Sequence, residues 1–97
     1  MGIFMEAVGD ENEKLENKRR RLIFRSAHRG IKEMDLIMGS FARANIPNFT
    51  KSELSEYDQL LCNNDPDLYN WITEKEPAPD DIADMSVFKK LLDHKVV

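Results

Sequence analysis

HRGIKEMDLIMGSFARAN, residues 28–45, decides how this chain is read. Ile31, Met34, Met38 and Phe41 recur at i, i+3, i+7 and i+10, with Ile37 and Ala44 beside them, which is the spacing of one wide apolar stripe on a helix. The pattern predicts a central helix over 30–45 with a buried face. Gly30 is its puzzle, because glycine inside a helix costs about 1 kcal/mol relative to alanine. Two explanations stand open. Gly30 either begins this helix, leaving a bare backbone patch with Arg29 and Glu33 on one face and Lys32 adjacent, or is the left-handed cap that ends the helix before it.

Upstream, Glu11 to His28 contains no helix breaker and is rich in good helix formers, with Leu15, Leu22 and Ile23 as sparse apolar contacts. A mostly polar first helix is expected there. Downstream, Pro47 marks a turn, and Thr50-Lys51-Ser52-Glu53 has the form of a capping box opening a third helix with Leu54, Tyr57, Leu60 and Leu61 inward. Asn63-Asn64 interrupts it. Asp65-Pro66 then reads as N-cap and first-turn proline of a short fourth helix carrying Leu68, Trp71 and Ile72. After the loop 74–79, Asp80-Asp81 opens a last helix with Ile82, Met85, Phe88 and Leu92 on its apolar side. No strand-like alternation occurs. The expected fold is all-α, a small bundle of about five helices, with an acidic, flexible tail over 1–13 and a single domain over 14–97.

Ninety-seven residues suffice for one small core, and 41 % hydrophobic with 33 % charged residues suits a soluble helical protein. No apolar run approaches the roughly 20 residues of a membrane span. The single Cys62 excludes an internal disulfide, and the first residues resemble neither a secretory signal nor a transit peptide, so a reducing compartment, cytoplasm or mitochondrial matrix, is expected. The net charge of −4 conceals an uneven distribution: residues 14–32 carry +7 and residues 33–97 carry −7.

Chemistry is sparse. His28, His94 and Cys62 are the only imidazoles and thiol, too few for a zinc set, and Asp80, Asp81 and Asp84 lack the glycine and closing glutamate of a calcium loop. Gly2, Gly9, Gly30 and Gly39 lie too far apart to wrap a pyrophosphate, so no dinucleotide is expected to be held by this fold. No nucleophile motif is present, and no enzyme activity is expected. Surfaces remain. The basic segment 18–29, with Lys18, Arg19, Arg20, Arg21, Arg25 and Arg29, could neutralise nucleic-acid phosphates, or could form a solvated face paired with the acidic half of the same chain. Tyr69, off the face that Trp71 shares with Leu68 and Ile72, is a candidate interface residue.

Arg29-Gly30-x-x-Glu33, followed about thirty residues later by Asp65-Pro66-Asp67-Leu68-Tyr69-Asn70-Trp71-Ile72, resembles the FAD assembly factor family of succinate dehydrogenase over residues 18–94. His28 and Ile31 depart from the arginine and methionine frequent in that family, and the acidic tail lies outside the similarity. The resemblance implies a five-helix fold and an assembly chaperone. Such a protein binds the flavoprotein subunit of succinate dehydrogenase, and in some bacteria of fumarate reductase, and promotes covalent attachment of FAD to a histidine of that subunit.

The same resemblance implies that Arg29, Gly30 and Glu33 meet the partner, and Arg25, His28, Lys32 and Tyr69 complete the expected partner-binding surface. The FAD would be held by the partner and not by this chain. A free monomer is expected, with no nucleic acid bound.

Overall fold

The computed structural model describes residues 2–94, and side chains from residue 11 onward. The expectation of a separate tail over 1–13 falls largely on side chains outside that range. The backbone of the first helix, α1, is continuous over Gly2–Ala27, so it starts well before Glu11. It is followed by α2 (Lys32–Asn45), a 3-10 turn (Ile46–Asn48), α3 (Lys51–Leu60), α4 (Asp65–Ile72), α5 (Asp80–Ala83) and α6 (Ser86–Asp93). Among the described residues there is no strand. No helix of this range is long and apolar enough to cross a membrane.

Of the stripe read from residues 28–45, Met34, Met38 and Phe41 are fully enclosed and Ile37 is partly buried, whereas Ala44 is exposed and the buried alanine is Ala42. Ile31 stays 39 % exposed because it lies ahead of the helix, as its N-cap residue. The hairpin of α1 and α2 closes at Gly39, where an added Cβ would stand 3.2 Å from both Cα and Cβ of Ala27. The two backbones meet there, so the close approach that glycine permits belongs to Gly39 and not to Gly30. Arg19 then reaches from α1 to the Phe49 carbonyl (2.9 Å) beyond the other end of α2.

The remaining helices wrap this hairpin. Phe41, Phe49 and Tyr57 form a ring cluster with centroids 5.7 to 6.1 Å apart, and Leu22, Leu54, Leu60, Leu68, Val87 and Leu91 fill the space around it. Tyr57 is fully buried, and its hydroxyl is not left unpaired. Ser26 Oγ donates to the Leu22 carbonyl (2.6 Å), which occupies its only hydrogen, so the Tyr57 hydroxyl donates to Ser26 Oγ (2.6 Å). Burial pushes the Tyr57 phenol up to about 12.

Capping explains most boundaries. Thr50 and Glu53 form the full reciprocal box at the start of α3. For α4 the cap is Asn64, whose Oδ1 accepts from the Asp67 amide (3.0 Å), and Asp65 is the first helical residue instead of the cap. The expected single last helix is broken at Asp84–Met85 into α5 and α6. The cause is remote: Glu56 Oε1, on α3, accepts from the Val87 amide (2.9 Å) and from Ser86 Oγ (3.1 Å), giving α6 a start of its own. The break shifts the buried set to Ile82, Val87, Phe88 and Leu91, while Met85 and Leu92 are only partly buried.

Candidate functional site

Between α1 and α2 lie only His28, Arg29, Gly30 and Ile31. Gly30 has φ +109°, a conformation L side chains rarely adopt, so the alternative in which it begins α2 does not hold: it lies in the turn that follows α1. Arg29 and Glu33 therefore do not share one helical face. A Cβ built at Gly30 meets nothing within 4 Å, so its bare backbone faces open space.

The turn is fixed from behind by two carboxylates. Asp35, in the first turns of α2, turns Oδ1 back toward the backbone and accepts from the Arg29 amide and the Gly30 amide, the latter at 3.1 Å. Asp65 Oδ1 accepts from Arg29 Nε at 2.7 Å, with side chains only 12 % and 9 % exposed. The rest of the guanidinium is also engaged, Nη1 donating to the Leu61 carbonyl (2.8 Å) and Nη2 to the Asn63 carbonyl (2.6 Å). These carbonyls lie where α3 gives way to α4. A planar fork with fixed donors suits this three-acceptor cradle, which a lysine could not fill.

Arg29 thus differs from the surface residue expected of it. Its charge is consumed internally, and it ties the RGxxE turn to the DPDLYNWI helix. The two sequence motifs are one physical unit, joined through Arg29 and Asp65.

The other candidates divide. Gly30, Lys32 and Glu33 are exposed around the turn. His28 is exposed and stacks on Phe24, with centroids 4.0 Å apart. Its Nδ1 lies 2.8 Å from the Phe24 carbonyl, which can only accept, so Nδ1 carries the proton. Arg25 leaves the turn and pairs with Asp58 of α3 (2.9 Å), which Lys18 also approaches (3.7 Å). Tyr69 is partly buried one turn beyond Asp65, with the Lys75 ammonium 5.2 Å from its ring centroid. It shares α4 with Asp65, the residue that Arg29 holds.

Sequence reasoning missed Asp35 and Asp65 as holders of the turn. Asp35 carried a signal, an acid in the first turns of a helix with no capping side chain before it. Asp65 did not, because an Asp-Pro pair already has a sufficient local explanation in helix capping. Nothing among the described residues groups three His, Cys, Asp or Glu side chains closely enough for a metal ion. What the site offers is a rigid, side-chain-free protrusion flanked by Lys32 and Glu33, which suits recognition rather than bond-making.

Comparison with known proteins agrees with the motif pair. A family model described as "Flavinator of succinate dehydrogenase" matches residues 20–95. The chain is 41 % identical over 90 residues to "Succinate dehydrogenase assembly factor 2, mitochondrial" of Scheffersomyces stipitis, covering 90 % of this chain and 60 % of that protein. It is 40 % identical over 74 residues to the protein of the same name from Dictyostelium discoideum, covering 76 % and 52 %. The Saccharomyces cerevisiae protein is 42 % identical over 83 residues, covering 82 % and 51 %. The chain therefore spans between half and two thirds of the length of these relatives. With the family match running from the last turns of α1 through α6 and taking in both motifs, the chain belongs to the succinate dehydrogenase assembly factor 2 family, the flavinators of succinate dehydrogenase.

Proposed function

We propose that this protein binds the flavoprotein subunit of succinate dehydrogenase and promotes covalent attachment of FAD to it, acting as an accessory factor with no active site of its own. The observation that carries this reading is the Gly30 turn, exposed in front and locked behind by Asp35 and by the Arg29–Asp65 pair. A surface that is ordered before contact loses little freedom on binding. A client pressed against such a surface can be held with its reacting groups aligned, and ordering of reactants alone supplies several kcal/mol toward a reaction.

In this reading Gly30 lets the client backbone approach closely, while Lys32 and Glu33 set register with charge-assisted hydrogen bonds. Arg29 acts one step removed by holding the turn in shape. The flavin stays with the client, whose own residues make the bond. The fumarate reductase flavoprotein is a second client where that enzyme is present. The reading puts the work where the flavoprotein matures, in bacterial cytoplasm or mitochondrial matrix.

The test is covalent flavin on the subunit, seen as fluorescence in a denaturing gel from cells with and without the gene. Loss of the flavin band on deletion, and its return with wild type but not with Gly30→Leu, is expected. Undiminished flavin in the deletion strain would refute the reading. Glu33→Gln separates positioning from proton transfer: a positioning role predicts weaker client binding with a flavinylation rate restored at saturating factor, whereas a proton-transfer role predicts a rate that saturation does not restore.

A further inference from the structure

The Gly30 turn leaves the last two turns of α1 unexplained. Phe24 there exposes 62 % of its surface, the most of any large apolar side chain among the described residues. It is not a loose ring: stacking on His28 at an interplanar angle of 22°, with the imidazole pinned to the Phe24 carbonyl, makes a fixed two-ring platform. Arg20, Arg21 and Arg25 line the surface beside it.

These cations are not all answered within the chain. Arg25 has Asp58, and Arg20 bonds only the neutral Asn17 side chain (3.0 Å). Among the described residues neither Arg20 nor Arg21 has a carboxylate partner, although the chain carries thirteen acids beyond residue 32. Two of those acids are spent elsewhere, Asp58 on Arg25 and Lys18 and Asp65 on Arg29. The other two exposed large apolar side chains, Ile31 (39 %) and Leu36 (56 %), follow on the far side of the turn, so all three bracket Gly30 within thirteen residues.

Resting on the client reading above, we infer that the Arg20–Arg21–Phe24–His28 face is a second contact with the same flavoprotein subunit. It receives an acidic segment whose carboxylates reach Arg20 and Arg21 while an apolar side chain of that segment covers the Phe24 ring. Charge complementarity selects this occupant. A long polynucleotide would also answer the arginines, but it would meet the −7 of residues 33–97. Continuity with the Gly30 turn favours one client over two, since His28 is both half of the platform and the residue two before the glycine.

The experiment measures affinity for the flavoprotein subunit, purified without covalent flavin, by calorimetry at low, physiological and high salt. Arg20→Glu/Arg21→Glu, Phe24→Ala and wild type are compared after circular dichroism has established equal helicity. The expected result is about tenfold weaker binding for Phe24→Ala, as for truncation of an anchor residue. The double charge reversal should be weaker by a similar factor, with a flatter salt dependence.

Wild-type affinity in both variants, with wild type binding the subunit, overturns the inference and leaves the client reading standing. No binding by wild type overturns both. Tighter wild-type binding to a single-stranded 20-mer than to the subunit, abolished by the charge reversal, would reassign the face to nucleic acid. A dimer in sedimentation that Phe24→Ala dissolves without changing client affinity would reassign it to a second copy of the chain.

Discussion

Asp65→Ala should be far more costly than its position at an ordinary helix start suggests. The Asp65–Arg29 contact is 2.7 Å long with side chains 9 % and 12 % exposed, so removing the acid strands a guanidinium in a nearly dry site. Breaking a buried pair from one side typically costs about 3–5 kcal/mol. The carbonyls of Leu61 and Asn63 still hold Nη1 and Nη2, which favours the lower end, about 3 kcal/mol. For a domain of this size that lowers the melting midpoint by roughly 12–24 °C.

The chain contains its own control. Arg25–Asp58 has nearly the same length, 2.9 Å, but its side chains are 44 % and 37 % exposed, so Asp58→Ala should cost no more than about 1 kcal/mol. Urea unfolding at pH 7 followed by circular dichroism measures both, and equal slopes with different midpoints would license the comparison. Asp65→Ala should also speed hydrogen exchange at the Arg29 and Gly30 amides, because the turn loses its carboxylate tie to α4 and keeps Asp35 and the two carbonyl contacts of the guanidinium. If the two variants lose the same stability, burial is not what makes Arg29 structural, and its assignment as the lock of the turn fails.

Three further outcomes follow from the packing. Tyr57 has a phenol raised from 10 to about 12, so between those values the folded state binds more protons than the unfolded one; its contribution is intact below pH 10 and lost as pH rises toward 12. Tyr57→Phe should abolish that alkaline difference, roughly 2–3 kcal/mol between pH 9.5 and 12, at a cost near neutrality of about 1 kcal/mol for the lost bond to Ser26. Gly39→Val places atoms against the Ala27 backbone, 3.2 Å from even a bare Cβ, and should destabilise by about 1–3 kcal/mol in chemical unfolding. Glu56→Ala removes the remote cap of α6 and should cost about 1 kcal/mol, with faster exchange at the Val87 amide as its local signature.

The parts of the fold legible in the sequence are those set by local rules. Met34, Met38 and Phe41 announce their helix by period alone, and Thr50 with Glu53 announces the next by chemistry contained within four residues. The parts that were not legible depend on partners distant along the chain. α5 and α6 separate because Glu56, some thirty residues earlier, caps Val87, and no glycine or proline marks the break. The basic segment 18–29 read as either a solvated, self-paired face or a polyanion site; among the described residues Lys18, Arg25 and Arg29 are paired with acids while Arg20 and Arg21 are not. Gly30 was ambiguous for the same reason, since its neighbour's guanidinium and the Asp35 carboxylate fix the turn. Once they are placed, two separate motifs become one mechanical piece.

The central claim is that a bare, pre-ordered turn at Gly30 is what the client touches. A Cβ at this position meets nothing within 4 Å, so Gly30→Ala and Gly30→Leu incur the same backbone strain at φ +109°, about 1–2 kcal/mol, and differ only in how far they protrude. The decisive measurement is the rate of covalent flavin incorporation into the purified flavoprotein subunit with each variant, at a temperature where both are folded. A modest loss for alanine and a loss of about tenfold or more for leucine, at matched stability, is the predicted result. Leucine at the wild-type rate, or alanine and leucine falling together in proportion to unfolding, would contradict it.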